Sequence, residues 1–522
     1  MSKLLTKEDI FNLLYNRHKG EFVTLKELPY PNTFKDMQRA VKRVKEAINC
    51  NEKIVLIGDY DVDGVTATTV IRELFKCINY PLEWIIPNRF SDGYGLSTKI
   101  IDRVQADVII TVDNGIAALE AASLCKERGI DLIITDHHTV PSVAPEAYAI
   151  VNQKQESCKF KYKEICGAQI AWYFSAALAK ELNIKLDTKE LMGITSLAIV
   201  ADIMPLTGIN RAMLIAGMEY LKRSKKPFVK ALKDRGIIKN TLDSQSIAFY
   251  IAPLLNSAGR LKDASVASDF LFTNSQEEAN IILDELIELN TKRKEIERNI
   301  TKEAISQVSQ SSNIAVVWGS NWSEGVVGIV ASKVAEHFKI PAIVLSCKDG
   351  ICKGSGRSWG DCDLYSLVNK ASEYYLKFGG HKSAIGLSFE QDKMPLIKNI
   401  LNLEASNCSK EYVDNSILGE LPFNQIDFEL LDILDKFEPY GEANSKPKFT
   451  NLVEIVDVSD IGANKEHRRY RFKDATNRIL SAVEFRSKKS HSRGDSAKLT
   501  FSVGRNEYNG NVYINLYVDE LY

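Results

Sequence analysis

The sequence has almost no net charge. Its 67 Lys and Arg residues against 68 Asp and Glu leave −1. The molecule as a whole therefore does not advertise a polyanionic partner, and any nucleic-acid surface must be local. Long apolar runs are also missing, and none approaches the roughly 20 residues needed to span a bilayer. The opening MSKLLTKEDIFNLLYNRHKG carries charge throughout. It reads as a short amphipathic helix with Thr6 as N-cap, not as a secretory signal. A cytoplasmic location follows by elimination, and no membrane partner is expected. Paired cysteines are absent too. The nine cysteines are scattered and contain no CxxC, which argues against a disulfide framework or a zinc cluster. Reduced, buried cysteines are the expectation. No internal repeat or low-complexity linker is visible.

What is present is ample core material. The chain has 522 residues, 45% of them hydrophobic, enough for about three to five units at roughly 100–200 residues each. From about Glu52 to Asp202, short β-branched runs alternate with helical stretches such as Val65–Cys77 and Ala117–Arg128. The runs are Ile54–Ile57, Trp84–Ile86, Val108–Ile110 and Leu132–Ile134. They are apolar on both faces, as buried parallel strands are. The predicted fold class is α/β, and the predicted domains are a helical segment over 1–50, a parallel-sheet domain over 51–215 and a helical connector over 216–312. A second α/β domain follows over 313–425 and a C-terminal β-barrel over 426–522. Ser275–Ser309, free of Pro and Gly, reads as one or two long helices. The segment 508–511, Tyr-Asn-Gly-Asn, reads as a turn in the barrel.

Acidic residues cluster where strands end. Ile57 leads into Gly58-Asp59-Tyr60-Asp61-Val62-Asp63-Gly64. Asp113-Asn114-Gly115 follows the third run, Asp136-His137-His138 the fourth, and Asp202 closes the apolar stretch Ile194–Val200. In an open parallel sheet, ligands bind beyond the carboxyl ends of the strands. Carboxylates gathered in a low-dielectric cleft cannot all stay ionised unless a cation neutralises them. Oxygen ligands with one imidazole suit Mn²⁺ or Mg²⁺. Five aspartates and a histidine exceed the needs of one ion, so two are expected, about 4 Å apart, as in two-metal phosphoryl chemistry. An EF-hand is excluded because position twelve from Asp59 is Val70, not Glu. A dinucleotide fold is excluded because Gly58 and Gly64 do not make GxGxxG.

These strings, in this order, resemble the DHH phosphoesterase superfamily. The resemblance implies that Asp59 and Asp61 serve one metal, Asp63, His137 and Asp202 the other, and that Asp113 bridges. It leaves open how the first metal divides between Asp59 and Asp61. It assigns His138 and Asp136 to catalysis, with His138 turned toward the scissile phosphate. Gly379-Gly380-His381 resembles the GGH signature of the DHHA1-like accessory domain. Gly354-Ser355-Gly356-Arg357-Ser358 lies in the same unit, and a small backbone with one guanidinium suits phosphate capture. Asn256–Arg260 and Pro87-Asn88-Arg89-Phe90 resemble the RecJ branch in particular. The resemblance thus makes Arg89, Arg260, Ser355, Arg357, Gly379, Gly380 and His381 substrate-binding residues.

The C-terminal block adds a clue of its own. Between Ile461 and Arg505 there are 12 Lys/Arg against 4 Asp/Glu, interleaved with Tyr470, Phe472 and Phe485. That is the composition of an OB-like single-strand-binding barrel. The basic stretch Lys222–Lys239 is expected to add to a charged channel. Pro439–Asn444 resembles the RecJ segment that introduces the barrel.

The implied activity is exonucleolytic hydrolysis of single-stranded DNA, 5′ to 3′ by resemblance alone, in repair and recombination. The implied partners are single-stranded DNA and a repair helicase or single-strand-binding protein, and the expected state is a monomer. The chain is compact for the family, which implies no extra terminal domains. Two rivals are a DHH phosphodiesterase for short RNA or cyclic dinucleotides, and a catalytically dead DNA-binding relative. The basic barrel argues against the first and the full ligand set against the second.

Overall fold

A computed structural model describes residues 4–18, 22–238, 242–408, 414–462, 465–487, 491–508 and 510–522. The first sheet is fully parallel, in the order β2-β1-β3-β4-β5. Its strands are β1 (Ile54–Ile57), β2 (Glu83–Ile85), β3 (Val108–Val112), β4 (Asp131–Thr135) and β5 (Ala149–Val151). Alternate side chains serve opposite faces. Ile54, Leu56, Val108 and Ile110 enter one core, and Val55, Ile57, Ile109 and Leu132 enter the other. Both faces are therefore dry, which is why the runs look uniformly apolar. From β1 the chain goes to β2 on one side and β3 on the other. The carboxyl ends of β1 and β3 flank that switch point, where such sheets bind ligands.

Helices of the 216–312 segment do not stand apart as a bare connector. Phe228, Leu254, Phe270 and Leu283 share the larger core with the sheet. Ser275–Ser309 resolves into one helix, Gln276–Ser306, which at 1.5 Å per residue is about 46 Å long. It carries Leu283 and Leu286 in the first core and Ile300 and Ala304 in the core of the next unit.

That next unit has a mixed sheet, β6-β7-β8-β10-β9. Its strands are β6 (Ala315–Ser320), β7 (Ala342–Lys348), β8 (Ile351–Arg357), β9 (Lys377–His381) and β10 (Ala384–Glu390). Here the expectation of reduced cysteines is corrected. Cys347 is bonded to Cys352 and Cys362 to Cys408. Cys347 and Cys352 are cross-strand partners in the β7–β8 hairpin, a register that sequence spacing does not announce. Of the other five, Cys125, Cys158 and Cys166 are buried, but Cys50 and Cys77 are exposed.

The last unit is a closed barrel. Its strands are β12 (Lys448–Ile461), β13 (His467–Asp474), β14 (Ile479–Glu484), β15 (Ser496–Tyr508) and β16 (Asn511–Leu521). Pairing of β12 with β15 closes the ring, and β11 (Ile417–Glu420) lies alongside β12. Residues 508–511 join β15 to β16, with Asn509 outside the described residues. The segment expected over 1–50 divides between two cores. Thr6 caps the helix Lys7–Arg17 in a capping box with Asp9, and that helix buries Ile10 and Leu14 against Leu430, Leu434 and Phe437 of the barrel unit. The helix Met37–Cys50 instead packs on the parallel sheet through Val41 and Val44. Among the described residues, no helix is long and apolar enough to cross a membrane.

Candidate metal centre and substrate cleft

The loop after β1 is held by its own carboxylates. Asp61 caps the helix Val62–Cys77, its Oδ1 accepting from Asp63 N–H at 2.9 Å and Gly64 N–H at 3.1 Å. Asp63 accepts from Gly167 N–H at 2.6 Å and Ala168 N–H at 2.8 Å, the first turn of the helix Gly167–Glu181. That helix end favours negative charge. Asp113 takes a left-handed φ of 61° just past β3. Gly167 makes room for it, since an added Cβ there would lie 2.6 Å from the Asp113 Cβ.

His137 Nε2 lies 3.2 Å from Asp113 Oδ1 and 3.7 Å from Asp63 Oδ2 and Asp202 Oδ2. Asp202 is brought in by a helix end, not a strand end. It is the C-cap of Thr188–Ala201, so the stretch Ile194–Val200 is helical. Donor atoms fall into compact groups: Asp59, Asp61 and Asp113; then Asp63, His137 and Asp202; then Asp113, His137 and His138. Asp113 is common to the first and third.

The electrostatics are those of a cation site. Burial first, then the charge of Asp61, pushes Asp59 well above the carboxylate range. Burial and the neighbouring aspartates, Asp63 foremost, do the same to Asp113. Asp202 is pushed up to about 9 by burial and by Asp63 and Asp61. One oxygen each of Asp59, Asp113 and Asp202 is buried without a hydrogen-bond partner. Desolvating an ion costs several kcal/mol when it is left uncompensated, so this donor set fits divalent cations of the Mn²⁺ or Mg²⁺ kind.

Asp136 lines the same cleft as His138 and holds that imidazole in place. It is buried, its Oδ1 accepting from His138 Nδ1 at 2.7 Å and His138 N–H at 3.0 Å, its Oδ2 from Ile116 N–H at 2.9 Å. It is a positioning residue. Burial opposes the charged form of His138, but the hydrogen bond and charge of Asp136, together with the charges of Asp202 and Asp63, outweigh it and raise the imidazole to about 9. His138 Nε2 lies 3.3 Å from the Tyr94 hydroxyl. Both residues line a cleft of about 1210 Å³, whose opposite wall is Lys353, Ser355, Phe378, Gly379 and Gly380 of the second unit.

Family models match three parts of the chain: the DHH family N-terminal domain at residues 53–199, the DHHA1 domain at 311–407 and the RecJ OB domain at 417–520. The single-stranded-DNA-specific exonuclease RecJ of Escherichia coli is 32% identical over 464 residues, covering 82% of this chain and 79% of that protein. The chain belongs to the RecJ family. The protein of the same name from Bacillus subtilis is 34% identical over 472 residues, 86% of this chain. The match spans only 58% of that relative's length. A Thermus thermophilus RecJ structure in complex with Mn²⁺ shares the fold, with TM-score 0.81, 24% identity, and coverage of 94% of this chain and 72% of that one.

Three arginines gather near the carboxylates: Arg89 is within electrostatic range of Asp59, Arg260 of Asp61, and Arg357 of Arg260. Arg89 stacks on the Tyr60 ring, 4.1 Å from its centroid. Arg260 Nη1 donates to the Gly325 carbonyl at 2.8 Å, and Arg357 Nη1 to the Gly356 carbonyl at 2.8 Å. Burial, then Arg89 and Arg293, lowers Arg260 to about 10, with Arg357 contributing. Gly328 is small where Arg357 and Ser355 approach, an added Cβ lying 3.3 Å from Arg357 Nη2. Both glycine strings are strands, not loops: 354–357 lies in β8 and 379–381 in β9. Gly379 and Gly380 reach the cleft wall. His381 is exposed at the end of β9.

One expectation fails. Tyr470 and Phe472 do not offer rings to bases: they stack on each other inside the barrel, 5.0 Å apart, because alternate residues of a barrel strand face inward. Phe485 alone of the three is exposed. The stretch Lys222–Lys239 is partly committed to ion pairs, Lys222 with Glu219, Lys226 with Glu73 and Glu190, and Arg235 with Asp284, while Lys225, Lys230 and Lys233 form none among the described residues. Lys239 lies outside the described residues. Sequence reasoning also missed Tyr94 and Asn114. The Asn114 side chain donates to Val112 and Ile57 carbonyls and accepts from Leu96 N–H, locking the Asp113 turn. Its place beside Asp113 was the available signal.

Proposed function

We propose that this chain is a single-stranded-DNA-specific exonuclease that works 5′ to 3′ with two divalent cations, in DNA repair and recombination. The observation that carries the reading is a buried carboxylate–imidazole cluster with three arginines gathered close to it. Among the described residues these arginines, Arg89, Arg260 and Arg357, have no carboxylate partner. The Nε of Arg89 is buried and unpartnered. Such a site asks for an anion that also binds metal, which a phosphodiester is.

Asp59 and Asp61 would hold one cation, Asp63, His137 and Asp202 the other, and Asp113 both. When bound, the cations activate water and offset charge on the phosphoryl oxygens. His138, fixed by Asp136, presents its Nε2 to the scissile phosphate. Arg89, Arg260 and Arg357 bind the phosphate, with Ser355, Gly379, Gly380 and His381 cradling the terminal nucleotide. The narrow passage between the two α/β units excludes a duplex, and the basic barrel carries the incoming strand. The setting is cytoplasmic, as a monomer, with a repair helicase or single-strand-binding protein supplying the strand.

The test is purified protein with Mn²⁺ or Mg²⁺ and matched single-stranded DNA, RNA and duplex labelled at either end. Mononucleotides released first from the 5′ end of single-stranded DNA support the reading. Turnover confined to short RNA or cyclic dinucleotides would replace it with the small-substrate alternative.

A further inference from the structure

Three large apolar side chains lie bare on two segments whose helices pack together, one of them directly following the candidate metal donor Asp202. Ile203 is 67% exposed, Phe249 70% and Tyr250 61%. Ile203 directly follows Asp202. It ends the helix Thr188–Ala201 in a Schellman turn, with Met204 N–H donating to the Ile199 carbonyl and Ile203 N–H to the Val200 carbonyl. Its φ is 55°. Glycine is the usual residue at that position, and a β-branched side chain there is a genuine outlier. The strain is not offset by burial, so the fold gains nothing from an isoleucine there. Such outliers persist where a site uses them.

Phe249 and Tyr250 sit on a five-residue π-helix, Ile247–Ile251, a form concentrated at functional sites. The helix ending at Asp202 packs against it. Both segments are tied to one loop: Ser244 Oγ donates to the Tyr440 carbonyl at 2.6 Å, and Leu206 N–H to the Glu442 carbonyl at 2.8 Å. That loop leads into β12 of the barrel. In the other direction the π-helix continues into Ala252–Leu261. Pro253, Asn256 and Arg260 stay partly accessible along it, while Leu254, Leu255, Ser257 and Ala258 are buried. The spacing 250, 253, 256, 260 keeps to one helix face. It runs about 15 Å from the aromatic pair to Arg260 in the cationic cluster.

We infer that Ile203, Phe249 and Tyr250 form a base-stacking platform on which single-stranded DNA lies between the barrel and the metal centre. This rests on the proposed nuclease function. The occupant is nucleic acid because the stripe joins the barrel's entry loop to a phosphate-binding arginine, and because neighbouring aromatic faces stack on bases of any sequence.

The experiment uses the full chain with Mn²⁺ and a cleavage-resistant phosphorothioate oligonucleotide carrying 2-aminopurine at successive positions. Phe249→Ala with Tyr250→Ala should raise the dissociation constant at least tenfold, within the range for lost aromatic–base stacking. It should also relieve 2-aminopurine quenching at one or two adjacent positions. Replacing both by Trp should keep affinity within about threefold and preserve the quenching, as stacking requires. Ile203→Gly should melt no lower than wild type yet bind severalfold more weakly. Wild-type affinity and an unchanged fluorescence pattern in the alanine pair would overturn the platform and assign the patch to a protein partner. A wild-type chain that neither binds nor degrades single-stranded DNA would overturn the nuclease reading, and the platform with it.

Discussion

Gly259 rests directly on the backbone carbonyl of Tyr60, with no room for a Cβ between them. Tyr60 stands between Asp59 and Asp61, and Gly259 immediately precedes Arg260. One contact therefore sets the distance between the candidate metal loop and Arg260, the arginine proposed to bind phosphate.

Gly259→Ala should force the two apart. Overpacking of this kind costs about 1–3 kcal/mol. The variant should melt lower and lose more affinity for DNA than its loss of stability explains. Calorimetry and oligonucleotide binding on the same preparation check this, and full binding by a stably folded variant would refute it.

Asp113→Asn keeps a residue tolerant of the left-handed φ while removing the shared charge. Hydrolysis should fall by at least 1,000-fold. Without metal, melting should stay level or rise, because a buried, mutually repelled carboxylate has become neutral. Turnover and a melting curve in chelator suffice to decide.

Asp136→Asn should leave both cations bound but free the His138 ring. A positioned acid–base group is worth about 100- to 10,000-fold, so kcat should drop within that range with metal content unchanged. Metal loss in this variant would place Asp136 in the ligand shell instead.

His381→Ala should slow cleavage of single-stranded DNA strongly without loss of bound metal, since the residue sits on β9 of the opposite unit. Metal analysis beside turnover distinguishes the two outcomes.

Arg469 and Arg471 are exposed on β13, alternating with the inward Tyr470 and Phe472. Changing both to Gln should make the salt dependence of DNA binding shallower by about 1.4, at about 0.7 per phosphate contact for single strands. An unchanged slope would remove this strand from the DNA path.

By itself the sequence determined the parallel sheet, a long helical stretch over 275–309, the β-rich C-terminus and nearly all the candidate metal donors. Buried parallel strands must be apolar on both faces, and the chain must leave them at the same edge, so Asp59, Asp61, Asp63, Asp113 and His137 were legible as runs followed by acids. Tertiary structure alone decided the rest. Asp202 was named by resemblance, but that it joins through a helix end, and where that end points, only packing says. Asp136 was readable as an acid but not as the residue that fixes His138. Tyr470 and Phe472 had the right composition for base stacking, yet barrel closure turned them inward. The Cys347–Cys352 bond depends on hairpin register. Local pattern reports what a residue prefers nearby; which face it shows, and to whom, depends on contacts between segments far apart in the chain.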